Sequence, residues 1–575
     1  MTNKEKGEAR ANEIDRLIIK VLSSGRSFRV EAGAGSGKTY SLMKVIDWLE
    51  QEKRKELIKK GQKVACLTYT NVAVDEIKSR LKSDGFIKPS TIHNFAWNCI
   101  SRFQPALILQ ADKMGINVEK TRKVPSKQIK KVLYDLGVRY FENGELHIHH
   151  DDVIKLFVAL LDNAKFRKLL SNQYSIILID EYQDSFKSIM DQFLKYFIES
   201  KSDIQIGLFG DAWQTIYSDL GACGDVFSQN IEVISKGANF RSEEIIVNAL
   251  NRIRPELQQI SAIDEHDGKI IVITTNDYTG ERQKGYYNGE LPNDILFTYI
   301  EKVRDKLSLL GWSGECKTLM LTHKMLAKQQ HYYNLFEFLG DHLREADDEH
   351  FLFFMKKVEP VFDALQKKNA KSLIDALGVE SRPIQSPGHK TLWNALGNKL
   401  KTARKGSIYD VLKVLENSKI FGLPPKIAES LEMFDSCTDD KSSITLHGKP
   451  INQFYSIMYS EVLNAIDFKK EGADYSTNHG VKGKGYENVI LVIGRGWNNY
   501  KFDEFLPMNT SEISNETLSK SYIRNRNLFY VCCSRAKKRL ALFITVPVND
   551  SFMEYLENVF SRENIISYGD FMNLN

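Results

Sequence analysis

Ala32-Gly33-Ala34-Gly35-Ser36-Gly37-Lys38-Thr39 is the stretch that decides the fold. The strand-like pattern Ser27-Phe28-Arg29-Val30-Glu31 precedes it, and a helical run from Tyr40 to about Glu50 follows. Strand, glycine-rich turn and helix are the context a phosphate-binding loop requires. Small residues let backbone N–H groups close on a β-phosphate at the positive helix N-terminus, Lys38 adds a point charge, and the Thr39 hydroxyl can ligate Mg²⁺. Ala32 replaces the first glycine of the usual pattern, a small change. A glycine-rich turn without function is the competing reading, and the complete Gly-Lys-Thr in this context argues against it.

Such a loop needs acids nearby, and Ile176-Ile177-Leu178-Ile179-Asp180-Glu181-Tyr182-Gln183-Asp184-Ser185 supplies them at the tip of an apolar strand. Asp180 at the carboxyl end of a buried parallel strand is placed to hold Mg²⁺ through water, and Glu181 to polarise the water that attacks a γ-phosphate. Val64–Leu67, Ile176–Ile179 and Ile204–Phe209 join the phosphate-loop strand as candidates for one parallel sheet. Lys317–Leu321, Val489–Ile493 and Leu540–Val546 predict a second.

At 575 residues the chain exceeds a single core, and its length suggests about three to four domains. Charged residues at 27% and hydrophobic residues at 42% are ordinary for a globular protein. No apolar run reaches membrane-spanning length, and Met1–Lys6 lacks a signal-peptide core, so a cytoplasmic protein with no membrane contact is expected. The seven cysteines are scattered without a C-x-x-C pair and suggest neither zinc nor an iron–sulfur cluster. A net charge of +5 permits nucleic-acid binding without requiring it.

In chain order, the phosphate loop is followed by Thr68-Tyr69-Thr70-Asn71, Thr91-Ile92-His93, the Asp180 cluster and Gly210-Asp211-Ala212-Trp213-Gln214-Thr215-Ile216-Tyr217. Asn239-Phe240-Arg241-Ser242, Thr477 to Val489 and Tyr530 to Ala536 complete the series. This series resembles the UvrD/Rep/PcrA family of superfamily 1 DNA helicases along nearly the whole chain. The resemblance implies an α/β fold of two RecA-like P-loop domains with parallel sheets, each carrying a mainly helical insertion. It divides the chain into 1–97 with 169–240 (first RecA-like domain), 98–168 (its insertion), 241–326 with 471–550 (second RecA-like domain), 327–470 (its insertion) and a C-terminal tail, 551–575.

Site residues follow motif by motif. The resemblance makes Lys38, Asp180, Glu181, Gln214, Arg241 and Arg535 catalytic, with Gln214 sensing the γ-phosphate and the two arginines acting as fingers from the second domain's side of the cleft. Ala32 to Thr39 bind the nucleotide, and Thr39 and Asp180 hold Mg²⁺. Phe240 stacks on adenine, with a core phenylalanine as the alternative. Tyr69, Thr70, Asn71, His93, Thr477 and His479 are the DNA-binding candidates, Tyr69 by stacking on a base. ATP, Mg²⁺ and single-stranded or tailed duplex DNA are the implied cofactors and partners, with movement 3′ to 5′ and duplex unwinding.

Three departures qualify the pattern. Tyr217 is followed by Ser218 and Asp219 where the family has a stacking tryptophan, and Trp213 is as well suited to packing. Gly485 replaces a glutamate expected at the ribose. No glutamine precedes the loop, leaving Asn12 as a weak adenine reader. His147–Asp152 reads as a solvated loop and helix cap, with Asp152 capping a helix from about Val153, in preference to a metal site. Little chain follows Val546, so any cleavage is expected from another polypeptide. This fits DNA repair, or the compact helicase subunits that Gabija-type phage defence pairs with a TOPRIM nuclease. The alternative is a DNA-responsive regulatory ATPase that controls a partner nuclease with little unwinding.

Overall fold

Strands that are apolar on both faces must be covered on both, and the chain meets this demand twice. A computed structural model describes residues 1–81, 85–119, 122–123, 126–135, 139–200, 202–215, 221–320, 323–345, 347–378, 386–418, 420–437, 443–469, 474–477, 483–495, 500–508 and 516–574. Phe28–Ala32 (β1), Lys63–Thr68 (β2), Ile87–Thr91 (β3), Tyr174–Asp180 (β4), Gln205–Gly210 (β5) and Glu232–Lys236 (β6) form one sheet in the order β6-β1-β5-β4-β2-β3. Lys269–Thr274 (β7), Cys316–Met320 (β8), Tyr475–Thr477 (β9), Tyr486–Ile493 (β10), Ala536–Ile544 (β11) and Ile565–Ser567 (β12) form a second, ordered β9-β8-β10-β11-β7-β12. The described pairings in both sheets are parallel. With their flanking helices these are two RecA-like α/β domains.

β1, β5 and β4 are neighbours, so the residues at their carboxyl ends converge on one edge. That edge is where ligands bind in open parallel sheets. Helix α1 (Asn3–Ser23) packs beside β1 and β6, and α2 (Lys38–Trp48) starts at the glycine-rich turn. Lys and Glu after α2 form i,i+4 pairs, Arg54 with Glu50 at 2.7 Å and Lys60 with Glu56 at 2.8 Å. This stretch carries its charges in pairs on an exposed face.

Helix α3 (Asn71–Arg80) joins β2 to β3, and between β3 and β4 the chain adds helices, including α4 (His150–Leu161), and a small sheet of Lys131–Tyr134, Tyr140–Glu142 and Glu145–Ile148. Strands of three or four residues carry too little alternation to be read from sequence. α4 begins three residues before the expected Val153: His149 is its N-cap, and Asp152 closes the capping box while pairing with Arg139 at 2.6 Å. Between β8 and β9 the chain is mainly helical, around a separate core that includes Phe354, Trp393, Leu400 and Tyr459.

The stretch after Val546 is not a tail. Asp550–Phe560 is helical, β12 hydrogen-bonds to β7, and Phe571 is fully buried in the second domain. Three strand residues within a polar context gave no periodicity to read. Among the described residues, no helix is long and apolar enough to cross a membrane.

Candidate active site

The loop Ala32–Gly37 turns tightly because Gly35 and Gly37 sit at φ 76° and 74°, which L side chains rarely adopt. Space is equally restrictive. A Cβ on Gly35 would lie 2.5 Å from Asn239 Oδ1 and 2.8 Å from Arg241 Cβ. The loop is held from outside: Ala34 N–H donates to the Tyr530 hydroxyl at 3.2 Å, Asn239 Nδ2 donates to Ala34 O at 3.0 Å, and Phe240 N–H donates to Gly35 O at 2.9 Å. Ser36 Oγ is buried without a protein partner. A glycine cradle, an orphaned hydroxyl and Lys38 at the start of α2 fit a phosphate group.

Asp180 ends β4 and Glu181 turns away from it in the left-handed region, at φ 48° and ψ 48°. A non-glycine residue there is strained, as is common where geometry serves chemistry. Glu181 N–H donates to Asp180 Oδ1 at 3.0 Å. Burial lifts the Asp180 carboxyl to about 7, with Glu181 adding and Lys38 opposing. Lys38 Nζ lies 3.8 Å from Glu181 Oε1. Gln183 Nε2 donates to Glu181 Oε2 at 2.6 Å, and its carbonyl accepts from Asp211 N–H at 3.1 Å. Gln214 Nε2 in turn donates to Asp211 Oδ2 at 2.7 Å. Gln183 thereby ties the Glu181 side chain to the segment that carries Gln214.

The arginines approach from the second domain. Arg241 donates to Ser534 O at 3.3 Å and to Gly483 O at 3.2 Å. Arg535, fully buried near the end of helix α6 (Glu516–Cys533), donates to Val531 O at 2.9 Å and to Lys484 O at 3.2 Å. Burial lowers both guanidinium pKa values, Arg535 to about 9 with Arg241 adding to the effect, while Glu181 opposes it at both. Arg241 lies against the loop at Gly35, and Arg535 bonds the neighbouring Lys484 carbonyl beside the Gly483 and Ser534 carbonyls that Arg241 holds. Gly485 has a steric role here, since a Cβ there would lie 3.0 Å from Arg241 Cδ. The missing glutamate leaves the Arg241 side chain its path.

Phe240 is 40% exposed, so the core alternative fails and its ring stands near the mouth of the loop. Asn12 is tied to Lys44, whose Nζ donates to Asn12 Oδ1 at 2.9 Å. Trp213 is packing: it is buried, with Arg526 stacked 3.6 Å from its ring centroid and Tyr530 edge-on at 5.6 Å.

Away from the cleft, Tyr69 is 49% exposed at the end of β2, and Thr70 caps α3. Asn71 is also exposed. His93 does not share this open surface: its ring stacks on His150 at 3.3 Å and meets Phe186 edge-on. Thr477 is buried in β9. His479, Tyr217 and Asp219 lie outside the described residues.

Four residues at the site were given no role by the sequence, although Glu31 and Tyr530 lie in stretches it singled out. Lys236 is buried, donates to Gly37 O at 3.3 Å and faces Asp15 at 3.6 Å. Tyr530 touches the loop, and Arg254 bridges Glu31 and Asp211. All four, Glu31 included, are ionisable or polar residues in otherwise apolar elements, the one cue a sequence offers for a buried polar network.

A family model described as an AAA domain matches residues 15–219, which span the loop, the Asp180 tip and Gln214. The chain is 23% identical to Gabija protein GajB of Bacillus cereus (strain HuB5-5), over 97% of this chain and 98% of that one. It is also 23% identical to Gabija protein GajB of Bacillus cereus (strain VD045), over 95% and 98% of the two chains. The ATP-dependent DNA helicase Rep of Escherichia coli (strain K12) is 27% identical over 48% of each chain. The likeness to Rep covers about half of the chain, whereas the likeness to the two GajB proteins covers nearly all of it.

Proposed function

We propose that this chain is an ATP-driven DNA helicase or translocase acting in phage defence. The observation that carries this reading is the meeting of Lys38 and Glu181 of one RecA-like domain with Arg241 of the other, which lies against Gly35 of the loop with Arg535 beside it, in a chain similar to GajB over 97% of its length. Always-charged groups brought in by a separate domain make hydrolysis depend on closure, which is how turnover is converted to movement.

In this reading Glu181 orients and deprotonates the attacking water, held in place by Gln183. Lys38 leaves Glu181 for the phosphates. Arg241 and Arg535 stabilise charge on the transferred phosphoryl group, and Gln214 senses its presence. The Thr39 hydroxyl and Asp180 carboxylate would hold Mg²⁺, which neutralises phosphate charge when bound. Phe240 stacks on the base. Tyr69, with Thr70 and Asn71, lies on the DNA strand, and base stacking suits a motor that must accept any sequence.

Movement 3′ to 5′ and a nuclease partner supplied by another chain complete the proposal. A strand-displacement assay on 3′-tailed and 5′-tailed duplexes tests it. ATP-dependent unwinding of the 3′-tailed duplex alone is expected. Robust DNA-stimulated hydrolysis with no displacement on either would instead establish the regulatory ATPase.

A further inference from the structure

We propose that Arg254 is a positioning residue that clamps the second RecA-like domain onto the first and aligns Gln214 when the cleft is closed; this rests on the ATPase reading above. Arg254 follows helix α5 (Glu244–Ile253), whose Ile246, Ala249, Leu250 and Ile253 pack in the second domain's core with Val272, Leu491 and Leu542. Its guanidinium crosses to the first domain. Nη2 lies 2.5 Å from Glu31 Oε1 and Nη1 lies 2.5 Å from Asp211 Oδ1.

Both acids lead directly to the nucleotide site. Glu31 is the residue before Ala32, and it also accepts from the Tyr182 hydroxyl at 3.0 Å and from Ala212 N–H at 3.2 Å. Asp211 accepts from Trp213 N–H at 3.0 Å and from Gln214 Nε2 at 2.7 Å. Two carboxylates and one guanidinium, all buried, form a fork that a single planar cation can span. The outer charges nearby are Arg29, 3.7 Å from Glu31, and Glu256, 3.3 Å from Arg254. Arg254 also faces the Trp213 and Tyr530 rings at 5.2 and 5.6 Å, and Tyr530 is the residue that binds Ala34.

Parting the domains would remove the cation that bridges the Glu31 and Asp211 carboxylates and leave both buried acids without it. Ala212 N–H still ties this segment to Glu31, but the Asp211 side chain loses the partner that fixes its rotamer, and with it the orientation of Gln214. Arg254 so makes the alignment of Gln214 conditional on closure, and lysine, with a point charge, cannot bridge both acids.

Steady-state ATP hydrolysis with and without a single-stranded oligodeoxythymidine, alongside thermal unfolding, tests this in the full chain. Arg254→Lys is expected to lower the DNA-stimulated kcat by about tenfold or more while KM for ATP stays within about threefold. A neutral triad, Arg254→Met with Glu31→Gln and Asp211→Asn, is expected to recover melting temperature relative to Arg254→Met alone without recovering kcat. Wild-type kcat in Arg254→Lys or in the neutral triad would overturn the proposal, as would a loss confined to KM or one that simply follows melting temperature. A wild-type protein that hydrolyses no ATP, or a Lys38→Ala variant as active as wild type, refutes the ATPase reading instead.

Discussion

At the level of single residues, Glu181 combines the most strain with the most chemistry. Its left-handed backbone, the Lys38 contact and the Gln183 hydrogen bond place its carboxylate at the cleft. Glu181→Gln keeps the shape and removes the base, so ATP turnover should fall by about 10² or more with nucleotide binding kept, as measured by turnover and by fluorescent-nucleotide titration. His93 gives a different prediction. Burial, with His150 adding, lowers it from 6.5 to about 4. The unfolded chain therefore binds this proton more readily than the folded one, and the contribution of His93 to stability is complete above pH 6.5 and is lost as pH falls toward about 4. His93→Gln should melt with a shallower decline over that window than wild type, in thermal unfolding followed at several pH values.

The elements explain what the sequence could and could not disclose. The phosphate loop, β4 and β5 were legible because an apolar run ending in a turn of special residues has few alternatives. β3 was hidden by Pro89 at the sheet edge, and β9 and β12 by having only three residues each. The arginines were legible only through motif order, Tyr530 was marked by its motif but given no role, and Arg254 was not legible, since its partners lie far away in the chain. Gly485 has a steric side that the sequence alone does not disclose, a Cβ there lying 3.0 Å from Arg241 Cδ. Putting the glutamate back with Gly485→Glu should not add a ribose contact but should displace Arg241, lowering kcat for ATP while the fold survives by circular dichroism. Gly35→Ala should be worse: left-handed backbone costs about 1–2 kcal/mol for a residue with a Cβ, and the added atom strikes the Asn239–Arg241 turn, so nucleotide affinity should fall in the same titration.

Across the whole molecule, Trp213 and Asn527 sit on the seam between the domains. Asn527 Nδ2 donates to Thr215 O at 3.1 Å, and Trp213 packs in the second domain's core although it follows the first domain's β5. Movement of one domain on the other must change what surrounds this indole. The emission isolated as the difference between wild type and Trp213→Phe should shift on adding a non-hydrolysable ATP analogue, and an unchanged difference spectrum would place the moving boundary elsewhere.

The parallel pairing of β7 with β12 also has a meaning for how the protein is made. All six strands of the first sheet have been synthesised by Lys236, whereas β7 waits for partners at Ala536–Ile544 and Ile565–Ser567. Domains form as their chains emerge, so a nascent protein would possess Lys38 and Glu181 long before Arg535 reaches them. The growing chain can acquire a place for nucleotide while it still lacks Arg535, one of the two arginines proposed to act on it.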